Sequence, residues 1–383
     1  MQIDQPYLTK TLTELVQINS VNPLLVPGAP GEAQIAAYVE RALAEIGMEV
    51  SRLESVPGRP SVVGRLAGMG GSRSLMLNAH YDTVGVEGMD DPFSGAIRDG
   101  KLYGRGAYDM KGSLAACMAA VKALQDAGVG LAGDLLISAV ADEEHSSIGT
   151  LDVLEDCEAT AVIVTEPTEM DICLAHKGFV WLEIETSGRA AHGSRPDLGV
   201  DANMHMGRIL SHLEWLEREL VERPPHRLVG PPSLHAALLQ GGSAPSVYAD
   251  RCRLTVERRT VPGETQQQVV REVQSIIDEL SSADPAFSAE LRVTLVREPF
   301  ETPADSPVVK HVERAIHRVT EDEPIHGGQT PWMDAALFAA GGFDTVVIGP
   351  VGAGAHAAEE WVDLKSVEVL AGVLAETALE YCG

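Results

Sequence analysis

Apolar residues recur at helical spacing over residues 8–18, and Asn22-Pro23 follows as a breaker. The same spacing returns over 32–46 and stops at Gly47. Short apolar runs then alternate with helical stretches. Residues 61–66, 75–79, 134–140 and 161–165 read as strands, and 113–127 reads as an alanine-rich helix closed by Gly128. Strands alternating with helices predict an α/β sheet covered on both faces. The pattern changes near Lys177. Residues 180–186 (VWLEIET) alternate as a half-buried strand does, a long helical stretch covers 201–220, a strand lies at 254–256 and a helix at 266–280. That order predicts a compact α+β insert. From residue 296 the α/β pattern resumes, with helices over 307–319 and 334–340 and a strand over 344–348. The chain therefore reads as one α/β domain made of 1–176 and 296–383, interrupted by a second, α+β domain over 177–295. No internal repeat is visible.

Composition narrows the possible partners. A formal net charge of −27 over 383 residues repels phosphate backbones and argues against nucleic acid. The same charge suits divalent cations and small zwitterions. The five cysteines are scattered, odd in number and without a CxxC pair, which speaks against a disulfide framework and against a thiolate zinc site. The first twenty residues lack a basic start followed by an apolar run, and no apolar stretch is long enough for a membrane span. The expected setting is the cytoplasm, with no membrane partner.

Five segments carry candidate chemistry. In 75–82 (LMLNAHYD) an apolar strand delivers His80, and Asp82 follows on the same face of an extended chain. His80 can bind a metal through one ring nitrogen while Asp82 accepts a hydrogen bond from the other. In 104–112 (GRGAYDMKG) glycines allow a tight turn that presents Asp109 just before a helix. These glycines do not form a phosphate-binding loop, because no GKS/T follows and the third glycine of GxGxxG is missing. In 139–144 (AVADEE) two glutamates follow a strand; one can bind a metal and the other can act as general base. Glu166 follows the strand 161–165 directly, and His356 lies in the glycine-rich loop after the strand 344–348. Taken singly, each has a plain reading as a surface pair, a helix cap, a solvated acidic loop or a loop histidine. Taken together, they place two histidines and three carboxylates beyond strand ends that gather into one crevice of an open α/β sheet. Such a set suits two cations bridged by one carboxylate.

With these motifs (NAHYDTV, YGRGAYDMKG, ADEEHSSIG, TEPT and GAHAAEEWV) the chain resembles, over nearly its whole length, the di-zinc aminoacylase family. That family includes acetylornithine deacetylase, succinyl-diaminopimelate desuccinylase, glutamate carboxypeptidase and several dipeptidases. The resemblance implies a zinc-exopeptidase-like catalytic domain with an inserted dimerisation or lid domain, and a homodimer. It implies two zinc ions per subunit, with cobalt or manganese as alternative occupants. His80 and Glu166 would hold one, Glu144 and His356 the other, and Asp109 would bridge them. Glu143 would be the general base and acid, and Asp82 would orient His80. In the insert, GRAAHGSRP places His192 where the family reaches across to the neighbouring subunit's site to help stabilise the oxyanion. In VERRTVPG, Arg259 stands at the place of an arginine that binds the substrate carboxylate, with Arg258 adjacent. Three segments depart from the family pattern: 246–250 (SVYAD) in the lid, Met333 before Asp334, and His145 after the glutamate pair. Asp334 is expected to support the site from behind its ligands, and His145 to lie behind the ligands or at the surface.

The expected activity is metal-dependent hydrolysis of the amide bond of a small N-acyl amino acid, as in acetylornithine deacetylase. The alternatives are an exopeptidase or dipeptidase, a desuccinylase, and, outside the enzymes, a non-catalytic metal-binding protein. The shared metal machinery does not separate the enzymes, because specificity lies in pocket contacts.

Overall fold

The computed structural model describes all residues, Met1–Gly383. They fall into two compact units: Met1–Leu174 with Thr302–Gly327 and Met333–Gly383, and Ala175–Glu301 with Gly328–Trp332.

The first unit is built on a mixed sheet. Its strands run in the order Glu49–Leu53, Ser61–Leu66, Leu135–Val140, Leu75–His80, Ala161–Val164, Asp344–Val347 and Ile172–His176. The four middle strands are parallel to one another. All residues of Leu135–Val140, Leu75–His80 and Ala161–Val164 are buried. Successive side chains of a strand point to opposite faces, so full burial means that both faces of the sheet are covered. Helices Gly112–Asp126 and Leu364–Cys382 pack against each other and on strand Leu75–His80, and Ala33–Glu45 and Ile148–Asp156 pack on Ser61–Leu66. Helix Gly112–Asp126 (GSLAACMAAVKALQD) is buried on nearly every side, and its alanines allow the close approach this needs. Caps fix the helix starts: Asp4 accepts the N–H of Tyr7, Ser306 that of Val309 and Asp363 that of Ser366.

A small sheet completes this unit, in the order Gly352–Ala353, Trp361–Asp363, Lys101–Tyr103 and Ala96–Arg98. It lays the turn after Tyr103 beside the turn before Trp361, with Trp361 opposite Tyr103.

The second unit is an antiparallel sheet of Ser233–Gly241, Arg251–Thr260, Gly178–Ser187 and Ala289–Arg297, in that order, packed against helices Ala202–Glu222 and Gln266–Ala283. The alternation in VWLEIET has its counterpart here: Val180, Leu182 and Ile184 enter the core with Leu254, Val256, Ile209 and Val273, while Trp181 is exposed on the other face. No helix of the chain is long and apolar enough to cross a membrane.

Candidate metal centre

The parallel strands decide which side chains meet. Leu75–His80 and Leu135–Val140 run in register, His80 opposite Val140, and Ala161–Val164 flanks them. Their carboxyl ends release His80, the turn holding Asp142, Glu143 and Glu144, and Glu166 at one edge of the sheet, the usual ligand position in such folds. The small sheet adds two more groups. Asp109 sits in the irregular turn Ala107–Lys111, where its own backbone is non-helical and its peptide to Met110 is cis. His356 lies in the turn between Gly352–Ala353 and Trp361–Asp363, with a left-handed backbone at φ 61°.

Two groups of ligand-type atoms result. His80, Asp109 and Glu166 each place one nitrogen or oxygen within 4.8 Å of the others, and so do Asp109, Glu144 and His356. Asp109 is common to both. Its Oδ1 is 3.1 Å from His80 Nε2, and its Oδ2 is 3.4 Å from His356 Nε2. Glu166 Oε1 is 3.6 Å from His80 Nε2, and Glu144 Oε2 is 3.0 Å from His356 Nε2. Glu143 belongs to neither group; its Oε2 is 4.0 Å from His80 Nε2. His80 is 1 % exposed, whereas the His356 side chain is 54 % exposed, so the centre has one buried and one open side.

The support around these groups has a definite chemistry. His80 Nδ1 is 3.0 Å from the main-chain oxygen of Asp82 and 3.6 Å from its carboxylate, so the hydrogen bond that sets the ring runs to the carbonyl. The Asp82 carboxylate serves the glutamate turn instead, accepting the N–H groups of Glu143 (3.0 Å) and Glu144 (3.3 Å). Asn22 donates to Asp82 at 2.8 Å and to Asp142 at 2.9 Å. Arg59 pairs with Asp142 at 2.7 Å and with Glu32 at 2.6 Å in a buried cluster. Asp334 is buried and accepts from Thr150 Oγ1 at 2.5 Å, outside the ligand groups. His145 is exposed. Glu360 accepts main-chain N–H groups of the Asp109 turn. Sequence reasoning singled out none of Asn22, Arg59, Arg105 and Glu360. The one local signal was the second glutamate of HAAEEW, four residues after His356.

Electrostatics point to cations. The ion-pair partners of Asp109, Glu143, Glu144 and Glu166 are His80 and His356 alone. Burial, with repulsion from neighbouring carboxylates, pushes Glu166 up to about 8. Burial and Glu166 raise Glu143 well above the usual range, and burial with Asp109 raises Glu144. Hydrogen bonds to Asp109 and Glu144 lift His356 to about 10. Carboxylates that hold protons and imidazoles that stay charged describe a donor set short of positive charge, which divalent cations supply. A pH dependence follows. Glu166 releases its proton near 4.5 when unfolded and near 8 when folded, so the folded form holds an extra proton between these values. Its contribution to stability therefore declines as pH rises through that window. His356, raised from 6.5 to about 10, acts in the same direction over its own window. Metal-free protein should lose thermal stability between about pH 5 and pH 9, and zinc should remove most of that loss; a metal-free melting temperature rising over this range would contradict the account.

In the second unit, His192 is exposed, and its Nδ1 accepts the N–H of Ser194 at 3.2 Å. The two neighbouring arginines separate clearly, because adjacent strand residues face opposite ways. Arg258 is fully buried and paired with Glu264 and Glu272. Arg259 is part-exposed, pairs with Glu257 at 2.7 Å and lies 5.0 Å over the Phe179 ring.

An α/β sheet whose strand ends gather two overlapping His–carboxylate groups, with a further glutamate beside them, defines a metal-dependent hydrolase. The chain belongs to peptidase family M20/M25/M40, whose model matches residues 76–380. It is 31 % identical over 396 residues to an acetylornithine deacetylase of Myxococcus xanthus, covering 99 % of this chain and 98 % of the relative. It is 32 % identical over 277 residues to an N-formyl-4-amino-5-aminomethyl-2-methylpyrimidine deformylase of Bacillus subtilis, covering 67 % and 65 %. Its fold matches the crystal structure of a Staphylococcus aureus tripeptidase with a TM-score of 0.81 at 20 % identity, over 100 % of both chains.

Proposed function

We propose that this hydrolase removes a small acyl group from the amine of an amino acid, using two divalent cations, with zinc as the first candidate. The sharing of Asp109 between two three-residue ligand groups carries this reading. His80 and Glu166 would hold one cation, Glu144 and His356 the other, with Asp109 between them. When bound, such a pair polarises the scissile carbonyl and acidifies the attacking water. Glu143 is the proton carrier. Its carboxyl lies beside the ligand groups without belonging to them, and its raised proton affinity suits a base that takes a proton from water and returns it to the leaving amine nitrogen. Asp82 holds the Glu143–Glu144 backbone in place through its two accepted N–H groups.

From the insert, the proposal assigns His192 to the developing oxyanion and Arg259 to the substrate carboxylate. His192 Nδ1 is engaged by Ser194, at 3.2 Å from its N–H and 2.8 Å from its Oγ, which leaves Nε2 to face an oxyanion. Arg259 is the arginine of the pair with an accessible guanidinium. A homodimer belongs to the same reading. The activities of the two sequence relatives, a deacetylase and a deformylase, favour loss of a small acyl group; the tripeptidase neighbour keeps short peptides as the second reading.

The test is amine release from N-acetyl, N-formyl and N-succinyl amino acids and from di- and tripeptides, with and without a chelator. Release from the acetyl or formyl amino acids, lost on chelation and restored by zinc, is expected. Release from peptides alone would move the assignment to an exopeptidase, and release insensitive to the chelator would reject the metal centre.

A further inference from the structure

Asp109 and His356 lie far apart in sequence but face one another at 3.4 Å, and neither sits on a regular strand or helix. Something must hold their two turns in register. Glu360 closes the His356 turn and is 1 % exposed. Its Oε1 accepts the N–H groups of Tyr108 (3.0 Å) and Asp109 (3.1 Å), and its Oε2 accepts that of Gly106 (3.1 Å). Its main-chain oxygen accepts the N–H of Gly104 at 3.1 Å. Arg105, itself buried, pairs through Nη1 with Glu360 Oε2 at 2.5 Å. Its Nη2 donates to the oxygen of Ala357, next to His356, at 3.0 Å, and its Nε to the oxygen of Gly85 at 2.9 Å. The fit is close: Gly354 has φ +87°, and a Cβ there would stand 1.8 Å from the Glu359 oxygen.

We propose that Glu360 and Arg105 are positioning residues that lock the Asp109 turn to the His356 turn. Their lock sets the affinity of the cation held by Asp109, Glu144 and His356. The inference rests on the two-cation reading above. Neither residue belongs to a ligand group. Glu360 acts through main-chain N–H groups, which fix where the Asp109 carboxylate stands, and Arg105 carries the same constraint to the residue after His356. Groups that orient metal ligands in this way are worth about 10–100-fold in metal affinity. The cation held by His80, Glu166 and Asp109 shares only the Asp109 constraint, because its other two ligands stand at the ends of paired parallel strands.

The test is zinc titration of metal-free protein against a chromophoric chelator, for the wild type, Glu360→Gln and Arg105→Lys. Gln keeps the size and one acceptor oxygen of Glu360 but loses its charge; Lys keeps the buried charge of Arg105 but loses its fork. In both variants one zinc equivalent should weaken about 10–100-fold, and the other, which shares Asp109 but keeps His80 and Glu166 in place, should weaken less. The melting temperature of the metal-free variants, read alongside, separates this from a general loss of structure. Two equivalents of unchanged affinity in both variants would overturn the proposal. So would an equal weakening of both equivalents together with a lower metal-free melting temperature. If Glu360→Gln does not fold, Arg105→Lys decides by the same criteria. A wild type that takes up fewer than two equivalents refutes the two-cation reading itself, and the lock with it.

Discussion

Replacing Glu143 with alanine should lower turnover by about 10²–10⁴-fold while leaving the metal content unchanged. Both halves of this result come from its position. Glu143 shares the adjacent main-chain anchor with Glu144, since both N–H groups bond Asp82, yet only Glu144 joins a ligand group. A proton carrier must sit beside the ligands without being consumed by them. Its raised proton affinity, caused by burial and then by Glu166, fits a group that takes up and returns a proton. Turnover is measured on the best substrate of the panel, and metal by elemental analysis of desalted protein. Near-normal turnover would remove Glu143 as the base. Loss of metal together with activity would instead make it a ligand.

Asp109→Ala should take away both cations, from two per chain to fewer than one, and activity with them. Asp109 is the single residue common to the two ligand groups, and its two oxygens face the two histidines separately. Burial opposes its ionised form, but hydrogen bonds from His356 and His80 outweigh this and hold the carboxyl far below the usual carboxylate range. It is therefore ready to bind metal at any working pH. His356→Ala should by contrast remove one cation and spare the other, because His80 and Glu166 remain with Asp109. Metal counts on the two variants, measured side by side, make the comparison; two cations retained by Asp109→Ala would show that it does not bridge.

His80, the Glu143–Glu144 pair and Glu166 were legible because each stands at or just beyond an apolar run. His80 ends Leu75–His80, the glutamate pair follows Leu135–Val140 and Glu166 follows Ala161–Val164, so strand periodicity and the rule about strand ends bring them together. The supporting groups were not legible. Glu360 and Arg105 act across 255 positions by bonding main chain and each other, and Asn22 acts across 120 by joining Asp82 to Asp142. Such bonds leave no spacing in the sequence. The choice between Arg258 and Arg259 likewise needed the sheet, which buries one and leaves the other accessible. The helix Leu364–Cys382 escaped the periodicity reading for a different reason. It is buried on most sides among other helices, so its sequence (LKSVEVLAGVLAETALEYC) is apolar nearly all round and lacks a polar stripe to mark the period. The insert's edges at Ala175 and Glu301, and the grouping of Gly328–Trp332 with it, follow from contacts that composition does not reveal.

The central claim is that two cations share Asp109. Anomalous diffraction at the zinc edge, from crystals grown with zinc, tests it most directly. The account predicts two peaks, each about 2.0–2.2 Å from an Asp109 oxygen, one also beside His80 and Glu166 and the other beside Glu144 and His356. A single peak, or two peaks of which only one touches Asp109, would contradict it.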